Sequence, residues 1–355
     1  MRAIRLHAFS QDFDTIHIEE REQPRPQKHE VLVRMLYSPI NPSDHNYIRG
    51  DYRRALERVI WNRGAETLYF DPDRTNAHPE PAYTLGGEGV GLVVDTGSSL
   101  LARRLKGKRV AVAAGPPIGV WQEYVAVDAK RAIPVPDQLS DEEAAMTIIN
   151  PLSAVFMIRD VLRVRPNSFV LQSAAGSALA KSVIALSRQI GFETINIVRD
   201  GKHIEALGKL GARHIIRLDQ EDLRDAVARI TSGRGVPYAM DPIGGQLAAD
   251  MLGCLTRGGH LALFGTLSGP SFELTTRDLM MPSARITGFF LGNHIAQKSP
   301  AQMLFTLRHL RKLLGGALGD VVIRDVMPLD SIHEALRRSR EGGEAGKILL
   351  RIGDR

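Results

Sequence analysis

The stretch from Phe169 to Gly201 constrains the fold of this chain more than any other part of the sequence. A short apolar run, Phe169–Gln172, is typical of a buried strand, and a turn of small residues follows it. Lys181–Ile190 then has helical apolar spacing, and Thr194–Val198 has the composition of a second buried strand. This order predicts a β-turn-α-β unit, the arrangement that holds a dinucleotide pyrophosphate at a helix N-terminus.

The turn itself departs from the usual glycine-rich fingerprint. Gly176 is its only glycine, and Ala178 and Ala180 stand where further glycines are expected. The spacing alone leaves two interpretations open, a dinucleotide-binding unit and a plain βαβ packing unit, and it favours the first.

Cysteine content excludes two kinds of structural cross-link. Cys254 is the only cysteine among 355 residues, so neither an intrachain disulfide nor a four-cysteine zinc site can form. The N-terminal residues carry early charges without a long apolar core, and no apolar run is long enough to cross a bilayer. These features predict a cytoplasmic protein that does not bind a membrane.

The net charge of +6 comes from basic residues mixed with acids and not interleaved with aromatics. This pattern favours a solvated surface over one that attracts an anionic ligand or carrier, and it argues against nucleic acid as a partner.

The distribution of secondary-structure signals divides the chain. Residues 1–127 have short strand patterns separated by Gly, Pro and Asn, with a helix predicted around Pro42–Gly50. A capped helix is predicted from Ser140 to Ile149, with Asn150-Pro151 interrupting it. From Ser168 onward strands and helices alternate, which predicts a doubly wound parallel sheet. The predicted fold class is therefore α/β, with a mostly-β lobe followed by a domain built on a doubly wound parallel sheet.

Motifs spread over nearly the whole chain resemble those of the medium-chain dehydrogenase/reductase superfamily, in the same order. They are Asn41–Asp44, Leu85–Gly91, Trp121–Tyr124, the unit described above, Asp241–Gly245 and Gly346–Leu349. The resemblance implies a GroES-like catalytic domain formed by 1–127 and 299–355, and a Rossmann NADP-binding domain formed by 128–298. It also implies a homodimer joined through the sheets of the cofactor domains.

The resemblance points to a branch without zinc. Zinc-dependent members place a cysteine in the early motif and a histidine before the glutamate of the glycine loop. This chain has no cysteine before Cys254, and Gly87 precedes Glu88. Three stretches are most similar to the 2-enoyl-thioester reductases: Ile40–Asp44, Asn150–Ala154 and Ile195–Asp200.

The catalytic residues implied by the resemblance are Tyr52 and Asn41. A phenol suits the protonation of the α-carbon after a hydride has added to the β-carbon of an enoyl thioester. Tyr52 could instead be an aromatic packing residue, and a long insertion at Arg53–Tyr83 follows it, which leaves Tyr47 as the substitute donor. Glu88 is expected to be a structural hydrogen-bond acceptor.

Cofactor-binding roles follow from the same resemblance. Asn150 would lie near the nicotinamide or else cap a helix. Arg199, beside Asp200, would pair with the 2′-phosphate of NADPH or else be a solvated arginine. Gly201 breaks the Arg-Asp-Arg pattern of the family, but Lys202 and His203 follow and could supply charge. The backbone of the small-residue turn would hold the pyrophosphate. The complete predicted set is Asn150, Gly176, Ser177, Ala178, Leu179, Arg199, Asp200, Phe264, Gly265, Thr266, Leu267, Phe289, Phe290, Leu291 and Lys347.

The sequence thus predicts an NADPH-dependent, zinc-independent reductase of a polarised C=C bond, with a trans-2-enoyl thioester carried on coenzyme A or acyl carrier protein as the favoured substrate. The alternatives are an NADPH:quinone or alkenal oxidoreductase on the same scaffold, and a cofactor-binding protein without turnover.

Overall fold

The computed structural model describes residues 1–52, 81–268, 271, 273–314, 322–341 and 346–354. They form two compact units, Met1–Ile149 with Gly319–Arg355, and Asn150–Leu318. Most of the predicted insertion, including Trp61, Tyr69 and Phe70, lies outside the described residues.

The first unit begins with short strands joined by turns, as the sequence predicts. Its strands are β1 (Arg2–Leu6), β2 (Ile16–Glu20), β3 (Glu30–Pro39), β4 (Tyr83–Thr84), β5 (Glu88–Thr96), β6 (Arg109–Ala113), β7 (Tyr124–Asp128) and β8 (Ala132–Pro134). Its helices here are α1 (Pro42–Arg49), α2 (Leu100–Leu105) and α3 (Asp141–Ala144).

The second unit alternates strands and helices. Its strands are β9 (Phe169–Gln172), β10 (Glu193–Val198), β11 (His214–Arg217), β12 (Val236–Asp241), β13 (Leu255–Leu263) and β14 (Arg285–Gly288). Its helices are α4 (Ile149–Phe156, whose first residue belongs to the first unit), α5 (Ala178–Ile190), α6 (Ile204–Lys209), α7 (Leu223–Thr231), α8 (Gly245–Gly253), α9 (Thr276–Met280), α10 (Leu291–Ala296) and α11 (Pro300–Leu314). The chain then returns to the first unit with β15 (Ile323–Pro328), α12 (Ile332–Arg340) and β16 (Lys347–Arg351).

Two sheets make up the described part of the first unit. One has the strand order β2-β1-β4, and the other has the order β15-β16-β3-β5-β6-β8 with β7 also paired to β3. Strand β3 is antiparallel to both β16 and β5, so the end of β3 meets the beginnings of its two neighbours. Apolar side chains of this unit enclose Trp121, which is fully buried.

The break between the helices that follow Ser140 differs from the prediction. Helix α3 is capped by Ser140 but ends at Ala144, and Asn150-Pro151 lies inside the next helix instead of interrupting one. A proline is tolerated in the first turn of a helix because the N–H that it lacks would have no partner there. The bounds of the two units also differ from the predicted domains. Residues 128–149 belong to the first unit, where β8 pairs with β6.

Candidate active site and cofactor-binding elements

Asn41 begins helix α1 and organises a buried polar cluster. Its backbone is extended, and its N–H donates to Asp44 Oδ2 at 2.7 Å. This hydrogen bond gives a partner to a backbone donor at the start of the helix, which would otherwise have none. Pro42 follows at the first helical position, where its fixed φ suits the helix. The Asn-Pro-Ser-Asp sequence therefore places the Asn41 and Asp44 side chains in the protein interior.

Glu88 and Lys347 complete this cluster from the neighbouring strands. Glu88 accepts from Asn41 Nδ2 at 3.1 Å through Oε1, and from the N–H groups of Ile148 and Ile149 at 3.1 and 2.8 Å through Oε2. Lys347 Nζ donates to Asn41 Oδ1 at 2.5 Å. Glu88 is thus a hydrogen-bond acceptor, as expected, and the predicted catalytic Asn41 contacts the predicted cofactor residue Lys347.

Burial determines the charges in this cluster. It raises the pKa of the Glu88 carboxyl, against the effect of its hydrogen bonds, and it lowers the pKa of the Lys347 ammonium. Burial also raises the pKa of Asp44 to about 7, although the Asn41 N–H and Lys347 favour the carboxylate. Asp44 Oδ1 has no hydrogen-bond partner of good geometry among the described residues and lies toward Gly87. One acid of the cluster therefore titrates near neutral pH.

Tyr52 lies just beyond the end of α1, where Gly50 takes a left-handed conformation with φ of 70°. Its phenol oxygen accepts from Asn46 Nδ2 at 3.2 Å, and Arg49 fixes that amide by donating to Asn46 Oδ1 at 2.6 Å. The ring of Tyr52 meets Tyr47 edge to face, with centroids 5.0 Å apart. Burial raises the pKa of Tyr52, so its phenol is protonated at neutral pH.

The sheet of the second unit has a topological switch point. Its described strands have the order β11-β10-β9-β12-β13-β14 and pair in parallel, so the winding direction reverses between β9 and β12. Ligands of such sheets bind outside the carboxyl ends of the strands at this point. The turn after β9 lies there, and the segments after β10, β13 and β14 share the same edge.

The turn after β9 is anchored on both sides. Ser173 N–H donates to Met240 O at 3.2 Å, and Ala175 N–H donates to Ile197 O at 3.1 Å. Ala174 has φ of 47°, the left-handed region that favours glycine. The backbone conformation that favours glycine in this turn therefore occurs at Ala174, which is an alanine. It does not occur at Ala178 or Ala180, the two positions at which the sequence suggested missing glycines.

The N-terminus of α5 follows directly. Ser177 Oγ accepts from Ala180 N–H at 3.2 Å, so this side chain caps the helix. The N–H groups of Gly176, Ala178 and Leu179 form no hydrogen bond within the described residues. Helix α5 has 13 residues, and three backbone donors at the N-terminus of such a helix can bind an anion such as a pyrophosphate.

Arg199 and Asp200 follow β10. The Arg199 side chain is 84% exposed, and its Nε is 3.8 Å from Asp200 Oδ2. Asp200 Oδ1 accepts from Lys202 N–H at 3.1 Å and caps a short 3₁₀ turn, so its carboxylate has a structural task. Arg217, at the end of β11, lies beside Gly201 and adds a further cation at this edge.

The predicted residues after β13 and β14 are placed by backbone contacts. Phe264 N–H donates to Asp241 O at 3.0 Å, and a Cβ at Gly265 would lie 2.5 Å from Pro242 O, so the chain passes closely at this point. Phe289 N–H donates to Leu263 O at 2.7 Å. Thr266 and Leu267 are exposed, and Phe290 and Leu291 are half-buried. Asn150 is the second residue of α4.

Sequence analysis assigned no role to two residues that the structure places at these elements. Asp44 and Asn46 lie on α1 beside Asn41 and Tyr52. His203, which the sequence offered with Lys202 as a source of charge after Arg199, lies over Gly176. The i to i+3 spacing of Asn41 and Asp44 was a detectable signal, because it is typical of a helix cap. Nothing local in the sequence indicates that His203 contacts Gly176.

In the parts of the chain that the structure describes, no group of three His, Cys, Asp or Glu side chains could hold a metal ion. None of the described helices is both long and apolar enough to span a membrane.

Comparison with known proteins assigns the chain to a family. Residues 27–137 match the alcohol dehydrogenase GroES-like domain, and residues 178–307 match the family described as zinc-binding dehydrogenase. Mitochondrial enoyl-[acyl-carrier-protein] reductase of Caenorhabditis elegans is 28% identical over 98% of this chain and 95% of its own length. The human enzyme of that name is 27% identical over 90% of this chain and 80% of its own length.

Solved structures agree with this assignment. A candidate NADPH:quinone reductase of Bacillus thuringiensis superposes with a TM-score of 0.85 at 29% identity, covering 99% of each chain. Escherichia coli quinone oxidoreductase, at 22% identity and a TM-score of 0.81 over 99% of this chain and 100% of its own, shows the same fold. The chain therefore belongs to the medium-chain dehydrogenase/reductase superfamily and is an oxidoreductase, with a GroES-like and a Rossmann-like domain.

Proposed function

We propose that the protein is an NADPH-dependent, zinc-independent reductase that adds a hydride to the polarised C=C bond of a trans-2-enoyl thioester. The observation that carries this proposal is the half-buried, protonated phenol of Tyr52, whose oxygen accepts a hydrogen bond from Asn46 of α1. Relatives named enoyl-[acyl-carrier-protein] reductase, similar over nearly the whole chain, support the choice of substrate class.

Tyr52 has the properties that the second half of this reaction requires. When bound, NADPH supplies the hydride, which adds to the β-carbon and leaves an enolate whose α-carbon needs a proton. Tyr52 would donate its phenolic proton there, because its raised pKa keeps it protonated. Asn46 already donates to the phenol oxygen, so the same hydrogen bond would stabilise the phenolate after the transfer.

The residues for NADPH are those of the switch-point edge. The N–H groups of Gly176, Ala178 and Leu179 would bind the pyrophosphate, and Ser177 would support them as the helix cap. Arg199 would pair with the 2′-phosphate. Asn150, the segments 264–267 and 289–291, and Lys347 are proposed for the nicotinamide half. Gly176 packs closely against the His203 ring, and a glycine at such a position is typical of a turn that binds a pyrophosphate.

Substrate consumption by the purified protein tests the proposal. We expect NADPH oxidation with a crotonyl thioester, and a loss of turnover of about 10²- to 10⁴-fold in Tyr52→Phe, since a positioned acid contributes that much. NADPH affinity should be unchanged in this variant. Tyr37→Phe removes a half-buried phenol from the same unit and is the matched control. Undiminished thioester reduction by Tyr52→Phe would remove the donor assignment.

Cofactor choice has its own test. Arg199→Ala should weaken NADPH binding by about tenfold or more while leaving NADH binding unchanged, because only NADPH carries the 2′-phosphate. Lys209→Ala removes an exposed cation of the same unit that pairs with Glu205, and it should change neither. Equal losses for both cofactors would contradict the assignment of Arg199.

A quinone or alkenal oxidoreductase is the second candidate. It is favoured by the 29% identical structure, which bears the name NADPH:quinone reductase. Quinone reduction needs a hydride but no positioned carbon acid, so it should be insensitive to Tyr52→Phe. NADPH oxidation with a quinone and none with the thioester would select this candidate, and NADPH binding without turnover on either would select a non-catalytic role.

The remaining proposals concern assembly and partners. We propose a homodimer, a cytoplasmic location, and an acyl substrate carried on coenzyme A or acyl carrier protein. The curated relatives named above are mitochondrial by name. Sedimentation of the purified protein and kinetics with both carriers would test the first and third of these.

A further inference from the structure

The imidazole of His203 lies directly over the turn that follows β9. A Cβ at Gly176 would be 2.5 Å from His203 Cδ2 and 2.7 Å from Cγ and Nε2, so a side chain at this position would displace the ring. Gly176 does not have a left-handed backbone. Glycine at this position therefore leaves room for the ring above it, and its own backbone conformation does not require it.

The surroundings of the ring are cationic. Lys181 faces it from α5, and Arg199 and Lys202 face it from the segment after β10, with Asp200 as the one acid of this group. Burial, followed by Lys181, lowers the pKa of His203, so the free protein holds it neutral. Its Nδ1 is buried and has no hydrogen-bond partner among the described residues. This ring nitrogen therefore lacks a partner, and the three cations around the ring outnumber the single acid.

A phosphate bound at this turn would supply both an acceptor and negative charge. The ring lies over Gly176, and the N–H groups of Gly176, Ala178 and Leu179 in the same turn form no hydrogen bond within the described residues. Phosphate oxygens are acceptors and carry negative charge, which favours the imidazolium over the neutral ring. The imidazolium carries an N–H on both ring nitrogens, so the Nδ1 that has no partner in the free protein could then donate to a phosphate oxygen.

We propose that His203 is a cofactor-binding residue that couples NADPH binding to proton uptake, donating an N–H to a phosphate of the dinucleotide over Gly176. The inference rests on the proposed function, since it takes NADPH as the ligand. On binding, one proton passes from solvent to the imidazole, and it returns to solvent when the nucleotide leaves. The step transfers only this proton: no covalent bond to carbon forms or breaks, and no electron is transferred. The affinity for NADPH should therefore fall as the pH rises through neutrality.

Calorimetry in buffers of different protonation enthalpy measures this uptake directly. Near neutral pH, the wild-type protein should take up more protons for each NADPH bound than His203→Gln does. Any protons taken up by the 2′-phosphate itself are the same for both proteins and cancel in this comparison. The Kd of His203→Gln should exceed that of the wild type by about tenfold near pH 6, and the two should converge about two pH units higher. His309→Gln, on α11, is the control histidine and should match the wild type.

A double-mutant cycle with Gly176 tests the geometry. Gly176→Ala should weaken NADPH binding about tenfold in the wild-type background, because its methyl group displaces the ring. The same change should cost much less in His203→Ala, where the ring is absent. His203→Asn, with thermal unfolding of every variant, separates a folding defect from a binding defect.

Two results would overturn the inference while leaving the proposed function intact. One is equal proton uptake and equal NADPH affinity of the wild type and His203→Gln at every pH. The other is a Gly176→Ala penalty that is the same in both backgrounds. A wild-type protein that binds no NADPH at any pH would overturn this inference together with the proposed function.

Discussion

Replacing Asp44 by asparagine should remove much of the pH dependence of folding in the first unit. Asp44 is 1% exposed, and burial raises its pKa from 3.8 to about 7. A carboxyl whose pKa is higher in the folded state stabilises the fold most at low pH. That stability is lost as the pH rises from the unfolded value, near 4, through the folded value, near 7.

The size of the effect follows from linkage. One pKa unit corresponds to about 1.4 kcal/mol, so the shift of Asp44 amounts to about 4 kcal/mol over the whole range. Between about pH 5 and about pH 8.5 the wild type should lose about 3 kcal/mol of unfolding free energy through this group. The amide that replaces the carboxyl in Asp44→Asn does not titrate, and its oxygen can still accept from the Asn41 N–H.

Denaturant unfolding followed by tryptophan fluorescence measures this loss. Both tryptophans, Trp61 and Trp121, fall within Met1–Ile149, and Trp121 is fully buried, so the signal reports on the first unit. The free energy of unfolding of Asp44→Asn, relative to that of the wild type, should increase as the pH rises. Asp95→Asn, which removes a side chain that is 58% exposed, is the control and should follow the wild type. An identical pH dependence in Asp44→Asn would refute the reasoning.

Two further substitutions test single contacts. Glu88→Gln should destabilise the first unit by about 3 kcal/mol, because both carboxylate oxygens accept hydrogen bonds and the amide has only one oxygen. Its NH₂ group would face either Asn41 Nδ2, whose amide cannot rotate while Lys347 holds its oxygen, or the N–H groups of Ile148 and Ile149. A change below about 1 kcal/mol in denaturant unfolding would contradict this network. Ser177→Ala should cost about 1 kcal/mol by removing the cap on Ala180 N–H, measured by thermal unfolding, with NADPH affinity nearly retained. A large loss of affinity with unchanged stability would instead make the Ser177 hydroxyl a direct ligand.

The order of strands and helices was available from the sequence because its causes are local. Apolar periodicity, small-residue turns and capping residues such as Ser140 act over a few residues, and the parallel arrangement follows from strand–helix alternation. The motifs Asn41–Asp44 and Gly346–Leu349 indicated the superfamily, and family comparison confirmed it. The break near Asn150 was placed wrongly, since a proline is compatible with either a helix interruption or a first turn.

The contacts between polar groups were decided by the tertiary structure. Asn41 and Lys347 are 306 residues apart, and they meet because β3 lies between β16 and β5 in one sheet and is antiparallel to both. The same strand order buries Glu88 and so shifts its pKa, which no local pattern encodes. Gly176 could be assigned to a dinucleotide turn from the sequence, but the ring that packs over it comes from beyond the next strand. Local physics therefore determined the elements of this protein, and the long-range crossovers between them decided which side chains meet.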